Sequence, residues 1–136
     1  MGQILDGNKA VRTVIGRMNL SVVFWFIIAG FQILAGLPLL IFGYGLSMIA
    51  CGGWNIYATI SRMKTINAFK AQPELIYPYF ESGLNHMLIF LIINTLFGGF
   101  IGVFASLFDI LLRHYVMTHS EDLTIGLYSG SDYGQL

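Results

Sequence analysis

Residues 87–113 read MLIFLIINTLFGGFIGVFASLFDILLR. The first 22 of them, residues 87–108, carry no charge, and as one helix they would extend about 33 Å, a match for the roughly 30 Å hydrocarbon core of a bilayer. Asp109 ends the run and Arg113 follows four positions later, acid first, the favourable order for an ion pair along a helix. Two readings of this stretch compete. As a single helix it crosses a membrane once and leaves the Asp109–Arg113 pair at the far boundary, where Arg113 snorkels outward and Tyr115 sits among the headgroups. Broken at Gly98-Gly99, with Asn94-Thr95 suited to a turn, it becomes two helices folded back on each other. Each half is then short in apolar residues for a span. The single helix is the expectation, and the break is the alternative.

The rest of the chain has the same character. Of its 136 residues 56% are hydrophobic and only 10% charged, with mean hydropathy +0.72. A soluble domain carries about 25% charge. The class is an all-α integral membrane protein built as a helical bundle. Seven basic and seven acidic residues balance to zero, with no basic stripe for nucleic acid. The lone Cys51 excludes an intrachain disulfide and a cysteine metal cluster, and it reads as a small packing residue.

Residues 19–60 hold no charge, and 42 residues in one helix would measure about 63 Å, twice the thickness of a bilayer core. The run must fold back, and Ala35-Gly36-Leu37-Pro38 is the obvious turn. This predicts spans over 19–35 and 39–60, a cytoplasmic loop over 61–85 broken by Pro73 and Pro78, and a last membrane segment over 86–113. The count is three spans, or four if the last one splits at Gly98-Gly99. Lys9, Arg12 and Arg17 precede an apolar run too long for a cleaved signal, so the first span reads as uncleaved. Within 1–18, Val11, Val14, Ile15 and Met18 recur at helical spacing, as in an interfacial amphipathic helix. Residues 114–136 lack Lys and Arg and read as a flexible acidic tail. The basic residues at the N-terminus and in the 61–85 loop place both in the cytoplasm, as in a bacterial inner-membrane protein.

Polar residues inside the spans are the candidate site. Asn94, Gly98, Gly102, Ser106, Asp109 and Arg113 fall on one stripe at steps of three and four. Gly43, Ser47 and Cys51 form a second ladder of small residues at steps of four, suited to close helix contact. Gln32 and Asn55 add two more polar groups. Their first reading is interhelical hydrogen bonding, and their second is a polar path for a ligand or ion.

Catalytic and cofactor motifs do not stand out. His86, His114 and His119 lack a metal-ligand spacing, there is no G-x-S-x-G, and the glycines lie in apolar runs rather than after a strand. The expectation is therefore no enzyme, no metal and no cofactor. The reading that follows is a small non-catalytic membrane protein, an accessory or assembly subunit of a larger membrane complex or a homo-oligomer. Its partners are the lipid bilayer and other membrane subunits or copies of itself. The alternative is a transporter or channel protomer that works as an oligomer. A third possibility is a protein that receives a peptide or protein partner on the aromatic stretch 76–80.

Overall fold

A computed structural model of the chain describes residues 2–123, with side chains from Lys9 onward. It is all-helical, with no strand among the described residues. α1 runs over Gly2–Leu39 and α2 over Tyr44–Ala71. After a 3-10 turn at Pro73–Leu75 come α3 (Ile76–Ser82), α4 (Leu84–Phe97) and α5 (Ile101–Thr118).

The first turn lies later than the sequence suggests. α1 passes through Gly36-Leu37-Pro38 without reversing, and the chain turns at Leu40–Gly43. Pro38 sits in the final turn of α1, where its missing N–H removes one bond of a helix about to end. The reversal itself needs a left-handed residue, which Gly43 supplies at φ 75° with its N–H on the carbonyl of Leu40 at 3.0 Å. Gly36 serves a different purpose. A Cβ on Gly45 would overlap the carbonyl oxygen of Gly36, and one on Gly52 would come within 3.0 Å of the carbonyl of Ala29. These glycines let α1 and α2 lie backbone against backbone.

The continuous last segment is also corrected. Asn94 lies against the position a Cβ would take on Gly102, with atoms at 2.7–3.0 Å. Eight residues of unbroken helix would separate the two by about 12 Å. Phe90 and Asp109 both meet the Trp25 ring, although a straight helix would hold them about 28 Å apart. α4 and α5 are therefore an antiparallel hairpin, the arrangement held as the alternative. Gly99 makes the turn at φ 73°. The short halves have a consequence. Gly98 packs beside Cys51, seven residues into α2. The second turn therefore stops roughly 10 Å short of the first. Tyr44 bridges part of that gap, its hydroxyl donating to the carbonyl of Leu96 at 3.3 Å.

The buried faces repeat at alternating steps of three and four. On α2 they are Gly45, Met48, Gly52, Asn55, Thr59, half-buried Arg62, Ile66 and Phe69. On α1 they are Val14, Met18, Ser21, Trp25, Ile28 and Gln32. A mean step of about 3.5 residues keeps one seam facing a partner helix along its length, as in coiled coils.

The 61–85 segment is largely helical rather than a loop. α2 continues to Ala71, and Pro73 starts the 3-10 turn. Pro78 falls in the first turn of α3, where a missing N–H costs little. α3 and α4 meet at a 60° elbow around Gly83. Ile66, Phe69, Ile76, Phe80, Leu112 and Val116 bury one apolar cluster here with Val14 and Met18 of α1. The amphipathic N-terminal stretch thus packs inside the chain, as the start of α1. The 114–136 tail is helical at its beginning, and residues 124–136, Asp132 among them, lie outside the described residues.

Among the described residues, two stretches are long and apolar enough to cross a bilayer alone, Lys9–Phe42 and Ile101–Thr118. The bent pair Pro73–Ser82 and Leu84–Phe97 is a third if taken as one span. α2, where the sequence reading places a span over 39–60, is long enough but too polar on average to stand among them.

Candidate functional site

The structure divides the residues singled out in the sequence between two buried polar clusters, one above the other in the bundle.

The upper cluster is neutral. Asn94 on α4, Asn55 on α2 and Gln32 on α1 are each no more than 1% exposed. Asn55 Nδ2 donates to Asn94 Oδ1 at 2.7 Å and to Gln32 Oε1 at 2.8 Å. Asn94 Nδ2 donates back to Asn55 Oδ1 at 3.3 Å and to the Phe90 carbonyl at 3.0 Å. Gln32 Nε2 reaches Asn94 Oδ1 at 3.2 Å and the carbonyl of Gly98 at 3.0 Å. Cys51 Sγ donates weakly to Asn94 Oδ1 at 3.5 Å. Side chains on Gly98 or Gly102 would collide with this cluster, so those glycines make room for it. Ser106 lies one turn below Gly102 and bonds its carbonyl at 3.0 Å. Of the second ladder, Cys51 joins the cluster, Ser47 is half-buried one turn above it, and Gly43 is exposed in the turn.

The lower cluster is charged, and sequence reading found only one of its members. Asp109 on α5 is 5% exposed. Its carboxylate accepts from Ser21 Oγ at 2.5 Å and from Trp25 Nε1 at 2.8 Å, both on α1. Arg62 Nη1 on α2 completes an ion pair with Asp109 at 2.7 Å and also donates to Ser21 Oγ at 2.6 Å. The guanidinium carbon stands 6.0 Å from the centre of the Trp25 ring. Charged hydrogen bonds of this kind are the stronger sort. Arg113, the partner expected for Asp109, points elsewhere. Its Nε donates to the carbonyl of Phe80 at 2.9 Å and its Nη2 reaches that of Glu81 at 3.5 Å, tying α5 to α3.

The missed residues leave a faint trace. Arg62 continues the inward seam of α2 at steps of four and three from Asn55 and Thr59. Ser21 and Trp25 are four apart on α1, but nothing local marks them as facing an acid 84 to 88 positions away.

Two spaces adjoin the charged cluster. A cavity of about 10 Å³, room for about one water, lies between Met18, Ser21, Arg62, Phe80 and Asp109. A groove of about 450 Å³ opens between α2 and the α3–α4 elbow, with Arg62 in its wall. Its wall is aromatic in part, from Trp54, Tyr57, Tyr79 and Phe90, and polar in part, from Ser61, Arg62, Thr65, Ser82 and His86.

Each buried polar side-chain atom among the described residues has a partner. In both clusters the buried donors and acceptors satisfy one another across three helices, and the arrangement is one that fixes helices in place. No family model, curated protein or solved structure matches this chain.

Proposed function

We propose that this chain is a non-catalytic integral membrane subunit that packs against other membrane helices, in a larger complex or among its own copies. Two glycines carry the reading. Gly36, Gly45, Gly52, Gly98 and Gly102 are each explained by a close neighbour; a Cβ on Gly16, Gly30 or Gly53 would meet nothing within 4 Å, and of these the last two stand within the uncharged run 19–60. Both lie in the interior of long helices, where glycine costs about 1 kcal/mol relative to alanine. They follow Ala29 and Gly52, through which α1 and α2 touch, and so stand at one height. Gly30 is two residues from Ile28, which packs with Ala105 of α5, and Gly53 two from Asn55, which bonds Asn94 of α4. Two residues turn a helix by about 200°, so both glycines face the side away from α4 and α5. A patch of small residues there lets a further helix approach closely.

The membrane setting has its own support. Mean hydropathy understates α2, because Asn55 and Thr59 are buried and Arg62 turns inward, while Leu46, Tyr57 and Ile60 face out. With α2 counted, α1 and α2 form a full hairpin and α4–α5 a shorter one entering from the same side. Lys9, Arg12, Arg17, Lys64 and Lys70 all lie toward the end away from both turns. That end is cytoplasmic by the positive-inside rule, which puts the N-terminus in the cytoplasm, as in a bacterial inner membrane.

Cross-linking through Gly53→Cys in native membranes tests the proposal. The expected product is a disulfide-linked dimer or an adduct of defined mass, lost when Gly30→Leu is added. A Gly53→Cys chain that stays unlinked in membranes, together with a wild-type chain that is monomeric in mild detergent, overturns it.

A further inference from the structure

Arg62 does not spend all its donors on Asp109 and Ser21. Both of those bonds come from Nη1. Nε and Nη2 have no hydrogen-bond partner among the described residues, and the side chain, 18% exposed, forms part of the groove wall. A guanidinium is a rigid fork whose remaining N–H groups match two oxygens of a phosphate. The polar groups that line the groove with it, Ser61, Thr65, Ser82 and His86, include no acid. The rest of the lining, Trp54, Tyr57, Ala58, Tyr79, Met87 and Phe90, is apolar or aromatic. Arg62 lies 18 residues beyond the start of α2, about 27 Å along the helix, which is the depth of one hydrocarbon boundary when the first turn marks the other. A volume of about 450 Å³ is within the usual range for a small-ligand site, roughly 300–1,000 Å³.

From these observations we infer that the groove between α2 and the α3–α4 elbow holds one anionic phospholipid. Its phosphate rests on Nε and Nη2 of Arg62, its polar headgroup lies among Ser61, Thr65, Ser82 and His86, and an acyl chain runs along Trp54, Tyr57 and Phe90. Asp109 contributes indirectly, since its bond to Nη1 aims the rest of the fork outward. The inference rests on the chain lying in a bilayer, which is checked separately by recovery of the protein in membranes. Gly53 is not among the residues that line the groove, so failure of the cross-link leaves it standing.

The experiment is native mass spectrometry of the full chain in detergent, titrated with phosphatidylglycerol or phosphatidylcholine. One phosphatidylglycerol is expected to bind at least tenfold more tightly than phosphatidylcholine. Arg62→Lys keeps the charge beside Asp109 but loses the fork, and should reduce that ratio. Ser61→Asp, at an exposed position that leaves the ion pair intact, should bring the ratio near one while the circular dichroism spectrum stays helical. A control, Lys64→Ala, should retain the preference. Equal affinities for the two lipids in the folded wild type overturn the inference. So does a preference that survives in folded Ser61→Asp, or displacement of the lipid by millimolar glycerol phosphate, which would mean a soluble phosphate ester is the ligand.

Discussion

The two buried clusters join the same three parts of the bundle, α1, α2 and the α4–α5 hairpin, by different means. The upper one uses amides, each of which both donates and accepts. When one is lost, the others have alternatives, since Asn55 already bonds both Gln32 and Asn94. The lower one gathers three donors on a single carboxylate. Without Arg62, that carboxylate is a buried charge. Neutral networks of this type align helices at modest energy, typically about 0.6 kcal/mol per interhelical bond and up to about 1.7. A buried ion pair does not add much net stability, but breaking it from one side costs about 3–5 kcal/mol. The charged level thus selects which helices meet, and the amide level sets their register.

The largest expected effect is at Arg62. Arg62→Leu strands Asp109 and should lower stability by about 3–5 kcal/mol in a denaturant titration in mixed micelles. Asp109→Asn should cost less, about 1–3 kcal/mol, because the guanidinium left behind is the more exposed partner, at 18% against 7%, and has the groove to turn to. The double variant Arg62→Met, Asp109→Leu should recover much of the loss. If Arg62→Leu proved no worse than Asp109→Asn, the asymmetry argued from burial would be wrong.

Asn94 comes next. Asn94→Leu removes the acceptor for Asn55, Gln32 and Cys51 and should cost about 1–3 kcal/mol. A double-mutant cycle between Asn55 and Asn94 should give a coupling of about 0.6 kcal/mol, no more than about 1.7, and smaller than the same cycle between Arg62 and Asp109. Equal couplings at both levels would erase the distinction between them.

How much of this could be read from the chain follows the same division. Helical class, apolar character and most of the upper cluster were legible, since polar residues in long apolar runs are conspicuous. Asn94, Gly98, Gly102, Gln32, Asn55 and Cys51 were all singled out, and the fold brings them together. The hairpin break was only an alternative, because a stripe at steps of four looks the same along a straight helix as on two helices packed side by side. Gly99 was the local clue, a residue able to take φ 73° at no steric cost. The position of the first turn was misread because Pro38 is tolerated near the end of a helix and Gly36 is needed for close approach instead. The lower cluster was least legible. Its ion pair joins Arg62 and Asp109 across 47 positions, and the nearer base, Arg113, offered a plausible local partner that helix geometry favours.

The smallest effect separates those two arginines. Arg113 bonds backbone carbonyls at the end of α3, and its side chain is half-buried. Arg113→Ala should cost about 1 kcal/mol, near the ordinary value for a single hydrogen bond. The location of the change matters more than its size. Without Arg113 the α3–α4 elbow loses one tie to α5, so amide exchange should quicken around Glu81–Leu84, while the Trp25 indole N–H, bonded to Asp109, keeps its protection. Arg62→Lys should do the reverse, disturbing the Trp25 indole and sparing the elbow. If Arg113→Ala exposed Trp25 instead, Asp109 would depend on its neighbour four residues along α5, and the charged level would be a property of one helix rather than a lock between three.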